Sequence, residues 1–299
     1  MNTHLVENQR VNVFKTWFYL LVFALILVMV GFITASIFGN INFLYGAVVL
    51  AIGSNFFSYF FSDKMVLSMS NAREIEAGER DDLIHMVEKL AMEKGIPMPK
   101  VYIVQDLSPN AFATGRNPKH AAIAFTSGIL ALLNMNELEG VAAHELSHVT
   151  NRDTLIMSVV AVMASVISFF ANMFYFNSFG GGNRDGENDN NALFGVIGFL
   201  VIAILAPLAA TIVQMAISRK REFLADASGA ATTGRPEQLA NALKKISGFP
   251  VPMQTATPAT AHMYISDPFK SENYKTPWYV SLFQTHPPVE ERVKALMGE

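Results

Sequence analysis

Four stretches of this 299-residue sequence are long and apolar enough to cross a lipid bilayer. The first, FYLLVFALILVMVGFITASI at 18–37, carries no charge. The second, 43–61, is interrupted by Ser54, Asn55 and Ser58, which leaves a re-entrant course open beside a spanning one. The third runs 155–176, and the fourth runs 193–217 with Pro207 as a kink point. Crossing the hydrocarbon core takes about 20 helical residues. Lipid supplies no partner for backbone N–H and C=O groups, so an apolar run of this kind has to be helix. The first run has a core longer than a signal peptide's and lacks the A-x-A pattern of a cleavage site, so it reads as a retained span. A content of 51% hydrophobic and 16% charged residues fits a chain that is part membrane and part aqueous.

Positive residues flanking the runs set the expected orientation. Arg10 and Lys15 precede the first run, Lys64, Arg73 and Arg80 follow the second, and Arg219-Lys220-Arg221 follow the fourth. The loop at 177–192 has Arg184 against Asp185, Glu187 and Asp189. Both termini therefore fall on the basic, cytoplasmic side of a cell membrane. Residues 62–154 and 218–299 face that side too, and the economical reading joins them into one aqueous domain built from two chain segments. Within it, 81–94 has helical spacing, 100–106 and 121–128 read as strands, and 235–246 and 287–297 read as helices. A helix start near Asn134 or Asn136 is expected, with Asn136 and Glu139 as a partial capping pattern. Residues 249–280 look irregular. The expected fold is thus a mainly α, multi-pass membrane protein with four transmembrane helices and a cytoplasmic α+β domain.

Two compositional facts narrow the chemistry. The formal net charge of −3 offers no basic footprint for nucleic acid. The absence of cysteine excludes disulfides, thiolate metal sites and cysteine nucleophiles, so a metal here must use His and carboxylates.

Such a set is present just before the third run, in VAAHELSHVTNRDT at 141–154. On a helix, His144 and His148 lie on one face and can meet one ion. Glu145, rotated by about 100°, reaches a water beside that ion and can take its proton. A third donor of the metzincin kind would need Gly at 151 and His at 154, where this chain has Asn151 and Thr154. The remaining option is a carboxylate on a second helix. Glu222 in SRKREFLADASG after the fourth run is the obvious candidate, with Asp226 one helical turn on. Taken alone, Arg221, Glu222 and Asp226 read as a charged face beside the membrane. Asp226 could accept a hydrogen bond from the far nitrogen of a ligand histidine. Continuous helices would place His148 roughly 10 Å before the third run and Glu222 roughly 8 Å beyond the fourth. Antiparallel packing of the two runs would then bring His, His and Glu to one point.

HELSHVTNRD and REFLAD, with two apolar runs between them and two before, together with NAFATGR and THPP-x-x-x-R, resemble the HtpX membrane zinc metalloproteases. These are gluzincins related to the CAAX prenyl proteases and to a mitochondrial inner-membrane quality-control protease. The resemblance covers nearly the whole chain. It implies a gluzincin-type protease domain with one Zn2+ per chain held by His144, His148 and Glu222. It also implies Glu145 as the base, Asp226 behind a ligand, and quality-control cleavage of misfolded membrane proteins at the cytoplasmic face in a stress response.

Other residues stay open at this stage. Asn110, Ala111, Phe112, Ala113 and Thr114 could hold substrate as an added strand, as the resemblance implies, or form a turn using Gly115. His286 could stabilise an oxyanion or cap the last helix. Arg292 reads as an ion-pair partner of a buried carboxylate, and His85, His120 and His262 as solvated. The expected partners are protein substrates, unfolded or membrane-embedded, and the lipid bilayer, with self-cleavage in trans as a corollary. The rival readings are a metal transporter or sensor, which would want ionisable groups inside the runs, and a prenyl-protein endopeptidase, which would need a chamber for an isoprenoid chain.

Overall fold

The computed structural model describes residues 3–76, 78–179, 219–249, 251–269 and 287–299. The apolar N-terminal sequence forms α1 (Thr3–Phe38), and a tight corner at Gly39 turns the chain into α2 (Asn42–Phe60). These two are long and apolar enough to cross a membrane. They cross closely because Gly31 has no side chain. A Cβ there would lie 2.2 Å from the Ala47 Cβ. The fourth run and most of the loop before it lie outside the described residues.

After α3 (Ser62–Met69) comes a small mixed sheet. Its strands are β1 (Ala72–Glu74), β2 (Lys100–Val104), β3 (Ala111–Thr114) and β4 (Ala122–Thr126), in the order β1-β2-β4-β3. β2 and β4 run parallel, and the outer strands pair antiparallel to them. The NAFATG segment is therefore an edge strand and not a turn. β3 joins two cores. Ala111 and Ala113 pack with Leu83, Val87 and Leu90 of α4 (Asp81–Glu93), while Phe112 packs toward Phe23 of α1.

α5 (Ser127–Leu132) leads into α6 (Met135–Thr150), which carries the HELSH sequence, and then into α7 (Asp153–Phe179). α6 starts with a full capping box from Asn134 and Glu137, two residues earlier than the Asn136–Glu139 pattern suggested. Asn136 instead accepts from Arg235, and Glu139 pairs with Lys89.

The expectation of one uninterrupted helix from His148 into the third apolar run is not met. α6 and α7 meet at 84°, and only together do they make a third candidate span. Arg152 adopts a left-handed φ of +61°, which an α-helix cannot continue through, and Asn151 and Arg152 form the corner. Asp153 then opens α7, where a carboxylate suits the positive end of the helix dipole.

The segments after the fourth run return to α6. α8 (Arg219–Thr233) lies against it, α9 (Pro236–Ser247) packs beside both, and α10 (Val289–Met297) closes the group. Residues 251–269 are irregular apart from a short turn at Ala261–Met263. Asp106 fixes them by accepting from the amides of Gln254 and Thr255 and from the Thr255 hydroxyl. His262 corrects the solvated expectation. It is fully buried, and its Nε2–H donates to the Met157 carbonyl at 3.0 Å.

Candidate metal centre

Helical spacing puts the His144 and His148 rings on the same side of α6, and packing of α8 brings Glu222 opposite them. The two Nε2 atoms are 3.2 Å apart. Glu222 Oε1 lies 3.5 Å from His148 Nε2, and its Oε2 lies 3.9 Å from His144 Nε2. One donor atom from each of the three residues falls within 4.8 Å of the others, and all three residues are buried. Two nitrogens bound tetrahedrally to zinc at 2.0–2.1 Å are about 3.3 Å apart. The donor types and their spacing therefore fit that ion.

The close approach of α8 depends on Gly229. A Cβ at this position would stand 2.9 Å from the His144 backbone nitrogen and 3.1 Å from its Cα, atoms that cannot turn aside. Gly229→Ala is expected to push α8 off α6, with a stability loss of about 1–3 kcal/mol and weaker metal binding. A thermal melt of the metal-free protein and a zinc titration check this; a wild-type response in both would show that the contact can relax.

Each of the two rings has a carboxylate behind it. His148 Nδ1 donates to Asp153 Oδ2 at 3.0 Å. His144 Nδ1 lies 2.9 Å from Asp226 Oδ1, close but poorly aligned for a hydrogen bond. A proton held at Nδ1 leaves the Nε2 lone pair for a cation. Asp226 is fixed in turn by Arg292, which is buried and donates from Nε and Nη2 to the two carboxylate oxygens at 2.8 and 2.7 Å. Arg292 Nη1 is also 3.6 Å from Glu222 Oε2. The arginine is thus a countercharge to both carboxylates. Burial opposes ionisation of Asp226, but Arg292 outweighs it and holds the carboxyl below its usual range.

The protonation states follow from the same contacts. Burial brings His144 down to about 4 even though Asp226 opposes the shift. Burial also acts against charge on His148, yet Asp153 and Glu222 win and lift that ring to about 9. Without a cation, His148 is the charged ring, and its Nε2–H points at the bare Nε2 of His144. Glu145, one residue round the helix, is 2% exposed. Burial pushes its carboxyl up to about 7, His148 opposing and Glu222 adding to the shift, and the Ala113 backbone N–H of β3 reaches it.

Residues 77–299 match the sequence model of peptidase family M48. The chain belongs to that family. Among its relatives, a protein named "Protease HtpX homolog" from Desulfatibacillum aliphaticivorans is 49% identical over 254 residues, covering 84% of this chain and 79% of the relative. Proteins of the same name from Campylobacter curvus and Pyrococcus furiosus are each 46% identical, over 287 and 280 residues. These cover 95% and 90% of this chain and 96% and 92% of theirs. A crystal structure of S. mikatae Ste24p aligns with 89% of this chain and 66% of its own at a TM-score of 0.43 and 21% identity. As an M48 peptidase of the HtpX kind, the chain is a membrane metalloprotease that hydrolyses peptide bonds.

Of the residues singled out from sequence, His144, Glu145, His148, Glu222 and Asp226 come together in this M48 chain, and β3 runs beside them. His286 lies outside the described residues. Part of the β3 edge is already engaged. Ile265 N–H donates to the Ala111 carbonyl, and the Asn110 side chain bonds the Ser266 backbone, which leaves the Ala113 side facing Glu145. Asp153 was not singled out as a partner of His148. On a straight helix a residue five positions on points away, and only the bend returns it. Lys94 was also missed. It bridges Ser147 of α6 and Ser228 of α8 at 2.9 and 3.4 Å.

Proposed function

We propose that the chain is a zinc endopeptidase in which His144, His148 and Glu222 hold one Zn2+ and Glu145 is the general base. The observation that carries this reading is the convergence of the three donors beside a buried carboxylate outside the donor set. Bound zinc would polarise water and the peptide carbonyl. The residues supply the rest. Asp153 and Asp226 aim the two imidazoles, Arg292 keeps Asp226 ionised, and α6 and α8 hold the donors at fixed spacing. Glu145, buried beside the three donors and not one of them, is placed to take a proton from water and pass it on to the leaving amine.

Ala113 of the buried β3 edge lies beside Glu145 with its N–H on that carboxyl. An extended substrate would take this edge by displacing that contact and adding backbone hydrogen bonds that do not read side chains. Tolerance of this kind suits unfolded stretches of misfolded or damaged membrane proteins, cut at the cytoplasmic face in quality control and stress response. The basic residues flanking the apolar runs support that orientation and the union of 62–154 with 218–299 in one domain. His286 is assigned to the oxyanion or the substrate, and a second copy of the chain is itself a substrate in trans.

The test uses full-length protein in detergent. Chelation should abolish cleavage of an unfolded substrate, and one equivalent of zinc should restore it. A Glu222→Ala protein that still held stoichiometric zinc would remove Glu222 from the ligand set. Cleavage that survived complete metal removal would end the reading.

A further inference from the structure

We propose that Asn12 is a positioning residue for the ligand His148, which makes the first apolar helix a working part of the metal centre as well as a membrane anchor. The proposal rests on the zinc site argued above.

Asn12 sits on α1 just before the 18–37 run and is 4% exposed. Its Nδ2 carries two protons, and both are used. One goes to Asp153 Oδ1 at 2.8 Å and the other to the Asn151 carbonyl at 2.9 Å. One turn earlier on the same helix, Gln9 Nε2 donates to the Thr150 carbonyl at 2.7 Å. The contacts of α1 therefore fall on three of the residues at the α6–α7 corner. Carbonyls at a helix end have no partner within their own helix, and the corner bends away from the direction that could have supplied one. Two amide side chains from α1 take that place.

The connection to the metal runs through a single carboxylate. Asp153 Oδ1 receives Asn12, with Arg221 Nε at 3.5 Å from α8, the helix that also bears Glu222. Asp153 Oδ2 receives His148 Nδ1. A carboxylate held on one oxygen can turn only with its partner, so Asn12 sets the plane from which Oδ2 meets the imidazole. That plane fixes where His148 Nε2 points. Without Asn12, Asp153 Oδ1 keeps only the more distant Arg221 Nε of the contacts described, and the ring gains rotational freedom. Partners that orient ligand histidines contribute 10–100-fold to metal affinity. Acting one step further out, Asn12 is expected to contribute on the order of 10-fold.

The experiment measures zinc affinity of the full chain in detergent by competition with a chromophoric chelator. All proteins carry Glu145→Gln so that they do not digest themselves. Asn12→Ala is compared in the parent and in an Asp153→Ala background. Thr34→Val, on the same helix and with its hydroxyl bonded among the described residues to its own Val30 carbonyl, serves as the control for disturbing α1. The expected result is roughly 10-fold weaker zinc for Asn12→Ala in the parent, no further loss in the Asp153→Ala background, and no change for Thr34→Val.

Unchanged affinity in Asn12→Ala overturns the proposal. So does an equal loss in both backgrounds, because Asn12 would then act without Asp153 and merely brace the corner. A parent that holds no zinc, or holds it equally well after His148→Ala, overturns the metal centre itself and this proposal with it. Should Asn12→Ala fail to yield monodisperse protein, Asn12→Ser, too short to reach both acceptors, is held to the same outcomes.

Discussion

Glu145→Gln is expected to cut peptide hydrolysis by about 10²–10⁴-fold while leaving one zinc per chain and the melting temperature close to wild type. Gln matches Glu in shape and cannot take a proton. Glu145 is not one of the three donors that converge at the site, so its replacement should not release the ion. Its burial makes the substitution mild for folding, because a neutral amide replaces a carboxyl already pushed up to about 7. Three readings of one preparation decide the matter: cleavage rate on an unfolded protein, zinc content, and a thermal melt. A rate within tenfold of wild type would remove Glu145 from the chemistry. Loss of zinc alongside activity would recast it as part of the metal-binding set. Wild type held with zinc should also break itself down during purification, and the Gln variant should not.

The second large effect concerns stability. Arg292→Met should destabilise the metal-free protein by about 3–5 kcal/mol, the usual cost of stripping one partner from a buried ion pair. Here the stranded group is Asp226, which loses both donated hydrogen bonds, and Glu222 loses its nearby cation as well. Lysine is no substitute, because one ammonium cannot copy the planar two-point fork on Asp226. Added zinc should recover part of the deficit, since a cation beside Glu222 and His144 replaces some of the missing positive charge. The measurement is denaturant or thermal unfolding in detergent, with chelator and with zinc. A change below about 1 kcal/mol without metal would mean that Asp226 is solvated, contrary to the burial found.

How far the sequence disclosed this site depended on whether local helical geometry sufficed. His144, Glu145 and His148 follow from spacing alone, since four residues make one turn. Spacing on α8 gives Asp226 once Glu222 is chosen, but the choice of Glu222 leans on continuous helices through the third and fourth runs and on the family resemblance. Asp153 does not follow from spacing, because its reach to His148 requires a left-handed residue at Arg152, and nothing in Asn-Arg-Asp announces that an arginine will adopt it. The expected height of His148 above the third apolar run failed for the same reason. Arg292 was legible as a buried ion-pair partner, but its carboxylate was not, since Asp226 lies 66 positions away. The helix start near Asn134 or Asn136 holds at Asn134, but the capping pair read from sequence falls two residues late because both asparagines have a glutamate three residues on. Tertiary contacts decided between them, with Lys245 meeting Glu137 and leaving that box intact. His262 looked like a surface histidine, and only the packing of its turn against α7 supplies the carbonyl that makes burial tolerable.

The distribution of the site along the chain has a consequence for synthesis. His144 and His148 leave the ribosome early, while the arginine that charges Asp226 comes 148 residues after His144. At roughly 5–20 residues per second, that interval is about 7–30 s. For about the first half of it the two histidines lack Glu222, and Asp226 stays without its countercharge until Arg292 follows. The three proposed donors therefore exist before Arg292 is made, and Asp226 gains its countercharge only when α10 docks.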